Sequence, residues 1–221
     1  FFKLTTPSEM LRSLVGSEMC IRDRSKKGIK TSEIKKYCTN YYKNYWEIFN
    51  LSKIIKHFEI FTKMKNESKK FQIHIFNENK FKASELLVIA PDHHGLFSQI
   101  SGLVASCGFD IVNAIIITRS DGYALDTFFI QNKDKNPILE EHLKQRLIKT
   151  ITLGLEGNFN IEKALKTRWE ETPARFRAVK APVRVNIDNK TSNEYTVLEV
   201  KCKNVPAVLY SCLLYTSDAA D

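Results

Sequence analysis

No stretch of this 221-residue sequence comes near the roughly 20 consecutive apolar residues that a membrane-crossing helix requires. The first ten residues carry a lone Lys3 and no apolar core, so no secretory signal is written there. Cysteine is sparse and scattered. Cys20, Cys38, Cys107, Cys202 and Cys212 form no CxxC pair and have no histidine at zinc spacing, which argues against a zinc site or disulfide framework and for reduced thiols in the cytoplasm. A Gly-X-Y period and long polar tracts are missing too. With 43% hydrophobic residues the chain can close a core, so collagen-like and wholly disordered classes drop out. The length suits one ordinary soluble domain with part of another.

Acidic side chains are in deficit, 25 against 34 lysines and arginines, for a formal charge of +9. The deficit is local. Residues 25–82 hold 14 basic and 5 acidic groups, which alone accounts for the +9, whereas 83–210 hold 16 and 15. The chain-wide basic surface of a nucleic-acid binder is therefore absent. The two ends differ in composition from what adjoins them: SLVGSEMCIRDR (13–24) and CLLYTSDAAD (212–221) resemble translated sequencing-adapter DNA. Residues 1–24 and 211–221 are set aside from fold reasoning, as a cloning scar would be. Gly16-Ser17 opens no nucleotidyltransferase motif, since no Asp-x-Asp follows it.

Residues 25–82 are rich in Lys, Asn, Tyr and Phe. Tyr41, Tyr42, Tyr45, Trp46, Phe49, Ile54, Ile55, Phe58 and Phe61 fall at helical spacings, predicting one or two amphipathic helices, and 71–76 read as a strand. Basic and aromatic side chains together also suit single-stranded nucleic acid, with Lys35, Lys36, Lys69 and Lys70 among the charges. Tyr45, Phe49 and Phe58, however, sit where a buried stripe would place them, so the structural reading is preferred.

From residue 83 the pattern sharpens. An apolar strand over 86–90 leads into PDHHGLF (91–97), a turn that opens a helix. There Leu96, Phe97, Ile100, Leu103, Val104 and Cys107 share one face, and Gly108 ends it. Residues 111–118 are nearly all apolar and β-branched, RSDG (119–122) supplies a turn, and 124–131 complete a hairpin. Leu139, Leu143, Leu147, Ile151 and Leu155 step by four along a second helix, punctuated by Gly154 and Gly157. A basic connection through Pro173 and Pro182 leads to a strand at 183–187. The order β-α-β-β-α-β predicts an α+β, ferredoxin-like sandwich.

That topology serves several functions, so the site has to decide. An RNA-recognition module needs exposed rings on its central strands. DGYALDTF (121–128) imitates such a strand at Gly122, Tyr123, Ala124 and Phe128, yet Asp121 stands where a basic residue belongs, Leu125 where an aromatic belongs, and Asp126 sets a carboxylate where phosphate would approach. The strand at 86–90 offers no stacking ring, so nucleic acid is not the expected partner. The other candidate is an amino-acid-sensing ACT domain.

Three stretches carry a closer resemblance. PDHHGLFSQISGLVA, DIVNAIIITRSDGYALDTFFIQ and RVNIDNKTSNEYTVLEV resemble the C-terminal ACT region of the bifunctional uridylyltransferase/uridylyl-removing enzymes that modify the nitrogen-signalling protein PII. YYKNYWEIFNLSKIIKHFEIF resembles the connector joining their HD hydrolase domain to the first ACT domain, and the whole resemblance runs over about residues 25–210. An internal repeat goes with it: VKCKNVPAVLY (200–210) repeats the first loop, Asn204 matching Asp92, Pro206 matching His94 and Ala207 matching Gly95. The expected division is a helical connector at 25–82, a first ACT domain at 83–193 and the start of a truncated second one at 194–210, between the adapter-like 1–24 and 211–221.

The resemblance implies an enzyme that transfers a uridylyl group from UTP to a PII tyrosine when glutamine is scarce and hydrolyses it off when glutamine is plentiful. Mg²⁺ and UTP would be used in catalytic domains absent from this chain. For the segment itself the resemblance implies a cytoplasmic regulatory region with no catalytic residue or cofactor, glutamine as effector, and ACT domains pairing within or between chains. An ACT-type domain of another enzyme of amino-acid metabolism remains the alternative.

Within that reading the turn at 91–97 is the candidate effector site. The N–H groups of Gly95, Leu96 and Phe97 open a helix, and a helix N-terminus attracts a carboxylate. Gly95, lacking a Cβ, lets a ligand approach the backbone. Asp92 and Asp110 would hold an α-ammonium, with Ile111 beside the latter, and His93 and His94 would donate to the ligand or face solvent. The family has Arg-Pro where His93-His94 stand, and two adjacent histidines without a third ligand do not suit a metal. A structural role as helix N-cap competes for Asp92.

Overall fold

The computed structural model describes residues 37, 39–41, 43–78, 82–172, 183–190, 196–202 and 208–211. The adapter-like segments 1–24 and 212–221, Lys35, Lys36, Pro173, Pro182 and the repeat positions Asn204, Pro206 and Ala207 lie outside them. In chain order the elements are α1 (Lys43–Ile48), α2 (Leu51–Asn66), β1 (Gln72–Glu78), β2 (Ala83–Pro91), α3 (Leu96–Ser106), β3 (Asp110–Thr118), β4 (Tyr123–Gln131), α4 (Glu141–Leu155), α5 (Ile161–Glu171), β5 (Arg184–Asp188) and β6 (Val197–Lys201). Two compact units are present. The first comprises the described residues up to Ile75 with Leu86–His93 and Ala114–Phe128; the second comprises Phe76–Glu85, His94–Asn113 and the described residues from Phe129 onward.

In the first unit the aromatic residues of the connector form a core. Asn50 starts α2 by accepting a hydrogen bond from the Lys53 N–H through Oδ1 at 3.0 Å. The helical period then brings Ile54, Phe58, Phe61 and Met64 inward. Tyr45 is fully buried, stacks on Tyr41 with ring centroids 3.8 Å apart, and hydrogen-bonds His57 Nδ1 at 3.0 Å. Each ring pair of this kind contributes about 0.5–1.5 kcal/mol beyond the area it buries. The rings that could have stacked on nucleic acid are thus turned against one another.

In the second unit α3 packs on both α4 and α5. Leu96, Ile100, Leu103 and Val104 form the buried face of α3, as its periodicity requires. On α4 Gly154 lies so close to Leu103 that a Cβ there would collide with that side chain, and Gln99 Nε2 donates to the Gly154 carbonyl at 2.9 Å. Ser84, buried at the start of β2, both accepts from the Ile138 N–H (2.8 Å) and donates to its carbonyl, which pins the loop before α4. Helix α5 occupies chain read as a connection. Its start is marked by Asn160, whose Oδ1 accepts from the Lys163 N–H at 2.8 Å.

Strands β1 to β4 form an antiparallel sheet in the order β1-β2-β4-β3. The run β2-α3-β3-β4-α4 is ferredoxin-like, as predicted. One strand differs: the edge beside β2 belongs to β1, not to the strand expected at 183–187. That segment, β5, pairs instead with β6 in a separate two-stranded sheet. Loop closure favours the nearer strand: only residues 79–82 separate β1 from β2, whereas 156–183, which include α5, intervene between α4 and β5.

Candidate functional site

The loop after β2 is built on the β3–β4 turn. The Asp92 N–H donates to the Gly122 carbonyl at 2.9 Å, and Thr118 Oγ1 donates to Asp92 Oδ2 at 2.9 Å. Asp-Gly chemistry shapes that turn: Gly122 takes a φ of +79°, its N–H donates to the Arg119 carbonyl, and the Arg119 N–H donates to Tyr123. Asp92 is therefore an exposed residue held by one hydrogen bond at its backbone and one at its carboxylate. It does not cap the helix. Gly95 does, with a φ of +79° that disfavours any side chain, and the Gln99 N–H closes the first turn on the Gly95 carbonyl. His93 and His94 are exposed, Gly95 and Phe97 half-buried, and Leu96 buried.

In the second unit Asp110 begins β3 and accepts from Lys135 Nζ at 2.6 Å. This surface ion pair occupies the carboxylate assigned to an α-ammonium, though such pairs contribute at most about 1 kcal/mol. Asp110, Ile111 and Lys135 line a small cavity of about 140 Å³ together with Ser101 and Ala105 of α3 and Tyr210. Among the described residues no three His, Cys, Asp or Glu side chains gather as a metal site, and no helix is long and apolar enough to cross a membrane.

A second carboxylate lies within the first unit. Asp126, on β4, is 1% exposed, and its Oδ1 has no hydrogen-bond partner among the described residues. Burial, with a smaller contribution from the charge of Asp92, pushes its carboxyl up to about 7.

No family model matches the chain. It is 33% identical over 186 residues to the bifunctional uridylyltransferase/uridylyl-removing enzyme of Rhodospirillum rubrum, covering 84% of this chain and 20% of that protein. The enzyme of the same name from Gluconobacter oxydans is 33% identical over 194 residues, 86% of this chain and 20% of its own length. That from Azospirillum brasilense is 38% identical over 128 residues, 58% and 14%. The chain belongs to this family. It spans about a fifth of the length of the first two relatives.

The residues that hold the loop in this member of the uridylyltransferase/uridylyl-removing family are ones that sequence reasoning passed over. From the sequence, Thr118 and Arg119 mark only a strand end and a turn. Arg119 is 2% exposed; Nε and Nη2 donate to the two oxygens of Asp121 at 2.8 and 2.9 Å, and those bonds hold the Asp121 carboxyl below its ordinary range. Its guanidinium carbon lies 4.6, 4.6 and 4.1 Å from the ring centroids of Tyr37, Tyr41 and Phe61. Cation–π contact of this desolvated kind contributes about 2 kcal/mol. The backbone of the turn is bonded across the same region, Ser120 N–H donating to the Asn40 carbonyl at 3.0 Å. The available signal was an arginine beside an Asp-Gly turn in an otherwise apolar hairpin.

Proposed function

We propose that this chain is the glutamine-sensing regulatory region of a bifunctional uridylyltransferase/uridylyl-removing enzyme. The whole enzyme would move a uridylyl group from UTP to a PII tyrosine and remove it by hydrolysis, using Mg²⁺ in catalytic domains outside this segment, in the cytoplasm. Glutamine would bind at the loop after β2, with Asp92 taking the α-ammonium, and ACT domains would pair within or between chains. Similarity to enzymes of that one name supports the parent activity. The observation that carries the sensing reading is Asp92: a solvent-facing carboxylate, fixed in place by Thr118 and Gly122, in the loop that opens a helix. Preorganisation of that kind reduces the ordering cost of binding a small ligand. Regulation then requires glutamine to bind the two activity states with different affinity, and the shift can be no larger than that difference.

Calorimetric titration of L-glutamine into the full chain tests the reading. Saturable binding that weakens about tenfold or more in Asp92→Ala is expected, the loss of one charge-assisted contact. No binding at millimolar glutamine, or undiminished binding by the variant, overturns it.

A further inference from the structure

We propose that the first unit holds a second ligand site, for a small organic carboxylate with a compact apolar body, in the cavity between α2 and the β3–β4 turn. The cavity measures about 390 Å³, and all of its lining residues belong to that one unit. Small-molecule pockets run from about 300 to 1,000 Å³, largely apolar with a few convergent polar groups.

The floor is apolar. Tyr37, Phe58 and Phe61 are buried against one another, Tyr37 edge-to-face with Phe58 at a centroid distance of 5.2 Å and tilted on Phe61 at 5.6 Å. Arg119 braces them from beneath through its ring contacts and its fork on Asp121. Such a floor needs no rearrangement to receive a flat or compact hydrocarbon body.

The rim is polar, and helix geometry puts it there. Positions 58, 61, 62 and 65 of α2 are i, i+3, i+4 and i+7, so Thr62 and Lys65 rise from the same face that sends the two phenylalanines inward. Lys65 is exposed. Its Nζ sits 3.9 Å from the centroid of Tyr123 and 5.4 Å from that of Phe61, and its charge acts on the Asp121 carboxylate without forming an ion pair among the described residues. Asn40 also lines the cavity, its Oδ1 accepting from the Ser120 hydroxyl at 3.2 Å.

The charges decide the class of ligand. Arg119 and Lys65 carry two positive charges and Asp121 one negative, and both Asp121 oxygens already accept from Arg119. What the cavity lacks is one negative charge, placed at the Lys65 ammonium and Thr62 hydroxyl, with an apolar body behind it. A carboxylate meets that demand; a phosphate dianion oversupplies charge and has no apolar part. Glutamine, polar at both ends, leaves the aromatic floor unmatched. The proposal is thus independent of the sensing loop.

The test is titration of 3-phenylpropionate into the full chain, followed by calorimetry and by chemical shifts of the Phe58 and Phe61 rings. Saturable binding is expected, with 3-phenylpropanamide (the body without the charge) and acetate (the charge without the body) each binding about tenfold more weakly or worse. Lys65→Gln should cost about tenfold and Thr62→Val about threefold. Lys65 is exposed and Thr62 half-buried, so the variants should keep the circular dichroism of the parent chain. Any of four results overturns the proposal: no saturation by about 10 mM, equal affinity for the amide, indifference to Lys65→Gln, or equal competition by inorganic phosphate. Displacement of 3-phenylpropionate by glutamine would show one shared site and overturn it too, whereas failure of glutamine to bind anywhere would sink only the sensing reading.

Discussion

Strands β4 and β5 both carry large apolar side chains, and these meet opposite surroundings. In β4, between β2 and β3, every residue from Ala124 to Gln131 is buried, Asp126 and Thr127 included. In the β5–β6 sheet Val185 and Ile187 are 59% and 62% exposed. Their register explains the difference in pattern: Val185 faces Val200 and Ile187 faces Leu198 on one side, while Asn186 faces Glu199 on the other. The two-stranded sheet alternates as a half-covered strand does, whereas β4 runs apolar almost throughout because both its faces are covered. Apolar content alone does not say whether a strand is core; continuity of the run does.

The sharpest test of that contrast compares truncations to alanine in the two strands. Phe128→Ala, at a fully buried position, should lower stability by about 3–5 kcal/mol. The same change at Ile187 should cost well under about 1 kcal/mol, because water already reaches the side chain. Urea midpoints of the two variants measure this directly. Similar losses would mean that the two-stranded sheet is covered in solution.

The next effect is one of pH, and it concerns polar groups caught in the buried region. Asp126 has a folded value of about 7, well above the ordinary carboxylate range near 4. Between those values the unfolded chain is ionised and the folded chain keeps its proton, so stability falls as pH rises, by about 1.4 kcal/mol per unit. His57 does the reverse. Burial first, and the charges of Lys53 and Lys56 second, lower it from 6.5 to about 3, so between those values the unfolded chain takes a proton the folded one refuses, and stability falls as pH falls. From about pH 4 to 6.5 the two slopes cancel. Asp126→Asn should therefore unmask stability that rises with pH across that window, and His57→Gln stability that declines. Unfolding midpoints at several pH values check both signs, and an unchanged profile in either variant refutes the corresponding assignment.

A smaller loss is expected at Arg119. Arg119→Ala removes the aromatic contacts and the fork on Asp121, for about 3 kcal/mol. Arg119→Lys keeps the charge but cannot place two donors on Asp121, so it should recover only part of the loss. Full recovery by lysine would reduce the role of the fork to charge alone.

What was legible before the structure divides along the same line. The helix at 141–155, the hairpin and the loop at 91–97 announced themselves because their cues are local: a period of four, an Asp-Gly turn, a proline and a glycine. Helix α5 is harder to read because its apolar stripe is short, Ile161, Ala164 and Leu165 among charged residues, and none of its residues is buried, so the cap at Asn160 is the clearer cue. The exchange of β1 for β5 at the sheet edge is a matter of partner choice, which no strand states by itself. The supports of Asp92 were invisible for a similar reason: Thr118 lies 26 residues away in sequence. Arg119 was equally hidden, since its cage is completed by Tyr37 and Tyr41 from the far end of the first unit.

The smallest change in stability should come from the apolar side of the two-stranded sheet, and there the readout is different. Val185, Ile187, Leu198 and Val200 give that side four exposed apolar residues on two short strands, and uncovered sheet surface of this kind promotes association. A lysine at its centre should interrupt it without disturbing a packed core. Ile187→Lys is therefore expected to shift the unfolding midpoint by no more than about 0.5 kcal/mol, yet to raise the protein concentration at which light scattering first reports aggregation. The two readouts separate the possibilities. A loss above about 2 kcal/mol would place Ile187 in a packed interior, and unchanged scattering would show that association, if any, uses another surface.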